Sequence, residues 1–273
     1  MRRILRTWEG RIGLFLVVGT TILIAVGPYI APYSPTEVGL DQFNQSPNSV
    51  HWLGTDHLGR DVLSRFLSGG RSIIFIPVVS VTLAYLTAGL VSMVAAYKGG
   101  IFDLVVSRIV ELLMSLPSLL KILLMVAAFG PSTGVLILAI TIANMSGASR
   151  VVRGAVLSQS RLDYVKSSEA RGEGVLIIVV QEILPNIVGP LAADYTLRIT
   201  WAIIALSTLS FLGLGVQPPQ PDWGLMIQDA RASIKAAPLV AIVPALGIAA
   251  LSVGLNLTAD AIVRWSEGKE GST

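Results

Sequence analysis

The sequence predicts an all-α protein with six transmembrane helices and a helix-turn-helix platform outside the hydrocarbon. Three observations lead there. Of the 273 residues, 53% are hydrophobic and 14% charged, with mean hydropathy +0.71, whereas a soluble domain carries about 25% charge. Apolar runs long enough to cross a bilayer recur along the chain. One polar, amphipathic stretch, residues 161–185 (RLDYVKSSEARGEGVLIIVVQEILP), stands between two of them. The net charge of +3 is modest, and the basic residues form no cluster of the kind a nucleic-acid partner requires. With no cysteine, disulfides and thiolate chemistry are excluded.

The first span follows Arg2, Arg3, Arg6 and Arg11 as an uncharged run from Ile12 to Ile30. As helix it rises about 28 Å, against a hydrocarbon core of about 30 Å. A cleaved signal peptide is the other reading of this start, but the run is long for one and no clear small-x-small cleavage site follows. Pro28, Pro32 and Pro35 end the span, and Tyr29 and Tyr33 suit an interfacial belt.

Residues 34–71 read as a long polar loop. Gly54 and Gly59 suit tight turns, and Asp56, Arg60, Asp61 and Arg65 have spacings that let them pair, so the expectation is an ion-paired structural cap. His51 and His57 lie beside these carboxylates. Six residues apart and without a helical frame, they are weak metal ligands, and no metal site is assigned.

The second span is read from Ile73 to Ala96, and the third from Leu104 to Phe129 with a bend at Pro117. The third contains Arg108 and Glu111, three apart and able to pair, and a deeper Lys121. Lys121 reads either as a pathway or subunit contact or as a lysine snorkelling to an interface. The fourth span, Val135 to about Ala148, is expected to continue as helix through Arg150 and Arg153 toward the polar stretch. There Asp163 can cap a first short helix, Gly172 and Gly174 permit its end, and Val175–Leu184 forms a second that Pro185 stops. The fifth span, Ile187 to Leu214, carries Asp194 and Arg198 four residues apart on one face, a structural lock or a pathway or subunit contact. Gly213, Gly215, Pro218, Pro219 and Pro221 turn the chain back before the sixth span, Leu239 to Ile262.

The organisation is therefore residues 1–33 as N-terminus and first helix, 34–71 as external loop, 72–265 as a five-helix transmembrane domain, and 266–273 as a tail. Six spans put both termini on one side. Twelve of the 20 Lys and Arg fall in the segments on that side, Arg2, Arg11, Lys98, Arg150, Arg161 and Arg264 among them, against five on the other, Arg60, Arg65, Arg71, Arg231 and Lys235. This excess places the termini and residues 161–185 in the cytoplasm.

Four blocks carry a resemblance to a known family. Residues 161–185 resemble the EAA loop of ABC importer membrane subunits, with Lys166, Ser167 and Ser168 at the E-A-A positions, Gly172 at the glycine, Glu182 at the isoleucine, and Leu184 and Pro185 at L-P. The glycine and L-P match; the triplet and the isoleucine do not. His51, Leu53–Asp56 and Gly59–Arg65 resemble the H-x-L-G-T-D-x-x-G-R-D-V-L-S-R segment of C-type permeases of the peptide and nickel importers. ASRVVRGAVLS and SFLGLGVQPPQPDWG follow in the same order. The resemblance implies a type I ABC importer fold in the bacterial inner membrane, carrying di- or oligopeptides, with nickel, glutathione or opine-like cargo as alternatives. It further implies a homologous B-type sister permease, two ABC ATPase subunits that hold ATP and Mg, and an extracytoplasmic substrate-binding protein. Tyr164, Lys166, Ser167, Ser168, Glu169, Ala170, Gly172, Leu184 and Pro185 would couple to the ATPase.

No G-x-x-x-x-G-K-[ST] phosphate loop is present, so the chain binds no ATP of its own and carries no cofactor. No nucleophile, base and orienter can be assembled, which disfavours a membrane enzyme. An independent secondary transporter, using Lys121, Asp194 and Arg198 as its site, leaves the coupling loop unexplained.

Overall fold

A computed structural model of the chain describes residues 8–39 and 43–270. Arg2, Arg3 and Arg6, and the end of the tail (271–273), lie outside the described residues. Five helices are long and apolar enough to cross a membrane, and one helix pair bent by 79° makes a sixth where it is counted as a single broken span.

The first helix, α1 (Trp8–Ile30), packs along the last, α11 (Leu239–Glu270). Small residues set their approach: a Cβ at Gly13 would stand 2.8 Å from Leu257 Cβ, and one at Gly254 2.9 Å from Leu16 Cβ. Between helices in lipid, where apolar transfer supplies little drive, such close backbone contact is the main source of affinity. Only 17% of the α1 span is buried, against 56% of the span in α6 (Thr133–Gln159), which sits at the centre of the bundle.

The second span begins earlier than the sequence reading placed it. Asp61 caps α2 (Val62–Ala84), accepting from the Ser64 backbone N at 2.8 Å and Ser64 Oγ at 2.7 Å. The polar loop therefore ends near residue 61 rather than 71, because the cap starts a helix through ten residues that hydropathy alone assigned to water. A π-helical turn (Tyr85–Gly89) joins α2 to α3 (Leu90–Lys98), giving one 37-residue rod about 55 Å long.

The third span is two helices, α4 (Gly100–Met114) and α5 (Ser118–Phe129), which meet at 79°. Pro117 does more than bend the helix: it stands before α5 at φ −54°, ψ 138°, and the chain breaks. Beyond α6 lie the short α7 (Asp163–Ala170), α8 (Val175–Ile177), a second π-helical segment (Ile178–Ile183) and α9 (Leu184–Phe211). Residues 175–211 form one continuous rod, so the expected stop at Pro185 is overturned. Proline lacks an N–H and crowds the carbonyl four residues back; the wider π turn, which bonds the Leu184 N–H to Val179 O, runs directly into it.

After α9, Gly213 at φ +79° and the Leu214 N to Leu209 O bond of 2.8 Å end the helix as the glycines and prolines predicted. A further helix, α10 (Trp223–Asp229), then tucks back against α9 and α11. Its Trp223 is fully buried, stacks on Phe66 with centroids 5.1 Å apart and donates Nε1–H to Phe66 O at 2.8 Å. The main core, drawn from α1, α2, α5, α6, α9, α10 and α11, includes Ile24, Ile73, Ile140, Ile203 and Leu206.

Candidate coupling platform and intramembrane charge site

A second, separate core lies under the polar stretch. Val165 of α7 and Ile178, Val179 and Ile183 of the π segment bury themselves against Met93 and Ala96 of α3, Val152 and Val156 of α6, and Ile187 of α9. Val165 is fully enclosed, and burying a valine side chain stabilises by roughly 1.5–3 kcal/mol. Polar bonds fix the rim: Tyr97 Oη donates to Glu169 Oε1 at 2.8 Å, and Tyr164 Oη donates to Gln159 Oε1 at 2.9 Å. Burial pushes the Tyr164 hydroxyl pKa up, with Glu182 adding to the rise and the Asn186 hydrogen bond opposing it.

Asp163 does not cap α7. Leu162 holds the N-cap position and Asp163 enters the first turn, where its carboxylate still favours the positive end of the helix dipole. Lys166, Ser167, Glu169 and Ala170 are exposed, while Ser168 is 1% exposed, so only a small side chain fits the last triplet position. Gly172 lies at φ +76°, and the Gly172 N to Glu169 O and Glu173 N to Ser168 O bonds of 2.9 and 3.2 Å close the helix end. Gly174 is extended, at φ −70°, ψ 150°. Glu182, where the family pattern has isoleucine, faces Arg171 at 4.0 Å. Leu184 is half-buried beside this core and Pro185 exposed. Sequence reasoning missed Tyr97 and the Arg153 guanidinium, which grips Asp103 of α4 in two bonds of 2.8 and 2.6 Å. Tyr97 at the end of a span and Arg153 on the approach to the loop were the available signals.

At the far end of the α2–α3 rod the loop glycines sit at positive φ, Gly54 at +78° and Gly59 at +73°, with Gln45 O and Gly39 O packed where side chains would be. Arg60 Nε bonds Asp56 Oδ2 at 2.7 Å and Arg65 lies 3.5 Å from the same oxygen, as the spacing predicted. Asp61 pairs with neither arginine, a correction: His51 Nδ1 takes it at 2.9 Å. Sequence spacing could not see Asp229 of α10, which joins Arg60 at 2.8 Å and Arg65 at 3.3 Å across more than 160 residues. Asp56, His57 and Asp229 offer ligand atoms within 4.8 Å of one another. The two guanidiniums already compensate both carboxylates, so a cation there would meet positive charge. Nearby Asp222 is fully buried; burial pushes its carboxyl pKa up while Ser72 Oγ, at 2.7 Å, and the Leu225 N–H, at 3.1 Å, pull it back.

Lys121 and the Asp194/Arg198 pair are not brought together. Lys121 is 7% exposed and donates from Nζ to Leu113 O at 2.7 Å, capping the carbonyl end of α4 at the break. Neither sequence reading of Lys121 included that role. Asp194 and Arg198 form a two-bonded pair, at 2.6 and 3.2 Å, on α9. Tyr85, at the start of the first π turn, donates to Asp194, and the Arg198 guanidinium packs on Gly147 of α6. Arg108 and Glu111 pair at 2.6 Å on an exposed face.

Residues 86–270, 185 of the 273, match the protein-family model described as "Binding-protein-dependent transport system inner membrane component". The chain belongs to this family. The inner membrane component is 37% identical over 233 residues to the dipeptide transport system permease protein DppC of Bacillus subtilis, covering 85% of this chain and 73% of that one. It is 35% identical over 254 residues to the glutathione transport system permease protein GsiD of Pectobacterium atrosepticum, covering 92% and 83%. Among solved structures it is similar to a chain of the MetNI methionine ABC transporter in an inward-facing conformation, with TM-score 0.60, 20% identity, and 75% and 96% coverage; this likeness shows the fold. The expected type I importer fold is borne out. The inner membrane component is a transport subunit of an ABC importer rather than an enzyme, and it works with an ATPase and a substrate-binding protein.

Proposed function

We propose that the chain forms half of the translocation pathway of a di- or oligopeptide importer, beside a homologous B-type sister. Two ATPase subunits hold ATP and Mg and seat on α7, with Lys166, Ser167, Glu169 and Ala170 facing them. Tyr164, Ser168, Gly172, Leu184 and Pro185 hold that face in position, while Gly54, Asp56, Gly59, Arg60 and Asp61 hold the opposite cap. Both termini and α7 lie in the cytoplasm of a bacterial cell. Names of relatives with dipeptide and glutathione cargo support a peptide-like solute.

The observation that carries the mechanism is the second core. A close-packed interior has low compressibility. Force on α7 therefore moves α3, α6 and α9 together through Val165, Ile178 and Val179, and the Arg153 to Asp103 grip draws α4 along. Rigid-body rocking of these spans against the sister opens one side and closes the other. In proteoliposomes, the assembled importer should accumulate a dipeptide only with ATP and loaded binding protein. Uptake by this chain alone, down an ion gradient, would overturn the reading. The absence of native cysteine makes Lys166→Cys a single label site, expected to react with an impermeant maleimide from the cytoplasmic side only.

A further inference from the structure

We propose that Asp194 and Arg198 form a waypoint for the free ammonium and carboxylate termini of a short peptide in transit, an inference that rests on the peptide-import reading. The pair borders a cavity of about 350 Å³, also lined by Ser118, Asn144, Ser146 and Trp201. That volume falls in the range of small-ligand sites, about 300–1,000 Å³. Asp194 and Arg198 keep 20% and 18% of their side chains exposed, so the ion pair is reachable without unpacking the bundle.

Stability gives a poor account of the pair. Both residues belong to α9, so their two mutual bonds fasten no second helix; the Tyr85 hydroxyl is the one bond to another helix among the described residues. Paired charges away from water are often no better for stability than apolar residues of the same volume. In a membrane span they point to a pathway.

The chemistry fits a zwitterion. At rest the pair closes on itself and presents no net charge. When a peptide arrives, the carboxylate of Asp194 takes the ammonium terminus and the guanidinium of Arg198 takes the carboxylate terminus, so one ion pair is exchanged for two and nothing stays uncompensated. A lone cation or anion would leave one partner bare, which selects against it. Because the empty site is already satisfied, opening its own ion pair offsets much of what the two new pairs gain, so the site holds a peptide weakly enough to release it, as transit requires.

The test uses the complete importer in nanodiscs, without binding protein, titrated with Ala-Ala and with N-acetyl-Ala-Ala-amide. The readout is Trp201 fluorescence, isolated by subtracting a Trp201→Phe complex. Ala-Ala should give a saturable change, and the end-blocked peptide, which leaves the Asp194/Arg198 pair closed on itself and gains neither of the two new ion pairs, should bind at least about tenfold more weakly. Asp194→Asn and Arg198→Gln should each weaken Ala-Ala to a similar degree. Because the comparison of free and blocked peptide uses the unaltered pair, it holds even where these variants misfold. An importer that accumulates Ala-Ala in proteoliposomes but responds equally, or not at all, to the two peptides overturns the waypoint and leaves peptide import standing. An importer that accumulates no peptide overturns the import reading, and the waypoint with it.

Discussion

Gly172→Ala tests how the platform is held in shape. Gly172 lies at φ +76°, and a Cβ there would meet nothing within 4 Å, so the substitution adds backbone strain without a clash. A residue with a Cβ in the left-handed region costs roughly 1–2 kcal/mol, which shifts the native turn against alternatives by about 5–30-fold. Gly174, two residues on, is the control: a Cβ there also meets open space, but its φ of −70° suits alanine. The assay is peptide uptake per ATP hydrolysed by the assembled importer in proteoliposomes. Gly172→Ala should lower that ratio severalfold, Gly172→Asn should recover part of it because asparagine tolerates the left-handed region, and Gly174→Ala should match the parent. Equal ratios for Gly172→Ala and Gly174→Ala would refute the argument that the turn geometry transmits the stroke.

Arg153→Gln should cost under about 1 kcal/mol of stability, since Arg153 is 40% exposed. It should nonetheless reduce uptake per ATP, because it removes the ion pair that ties α4 to α6; an unchanged ratio counts against that pair as the link that drives α4. Lys121→Met leaves the Leu113 carbonyl without its charged donor and should destabilise by about 1.5–3 kcal/mol, seen as a lower melting temperature of the purified complex. For Asp222 the sign follows from burial, which raises the folded pKa above the unfolded one. Its contribution is complete below the ordinary carboxylate range and is lost as pH rises through the raised value. Melting temperature followed from about pH 4 to pH 8 should therefore fall less steeply for Asp222→Asn than for the parent, and parallel curves would contradict the assignment.

Sequence alone determined the solvent of this protein, its apolar spans and where along the chain its polar platform stands. Those follow from hydropathy, Gly172 and the glycine-proline turn after α9, because transfer free energy and allowed backbone angles are local properties of residues. Spacing likewise gave the Asp56/Arg60 and Asp194/Arg198 pairs, each four residues apart on one chain segment. Tertiary structure decided what local pattern does not encode. The helical rod runs through Pro185 because a π turn meets it. Asp229 reaches Arg60 and Arg65 only because α10 folds back against α9 and α11. Lys121 caps α4 only because the chain breaks at 79°. The second core required α3, α6 and α9 to converge on α7, a matter of which apolar faces meet in space rather than of any residue's own preference.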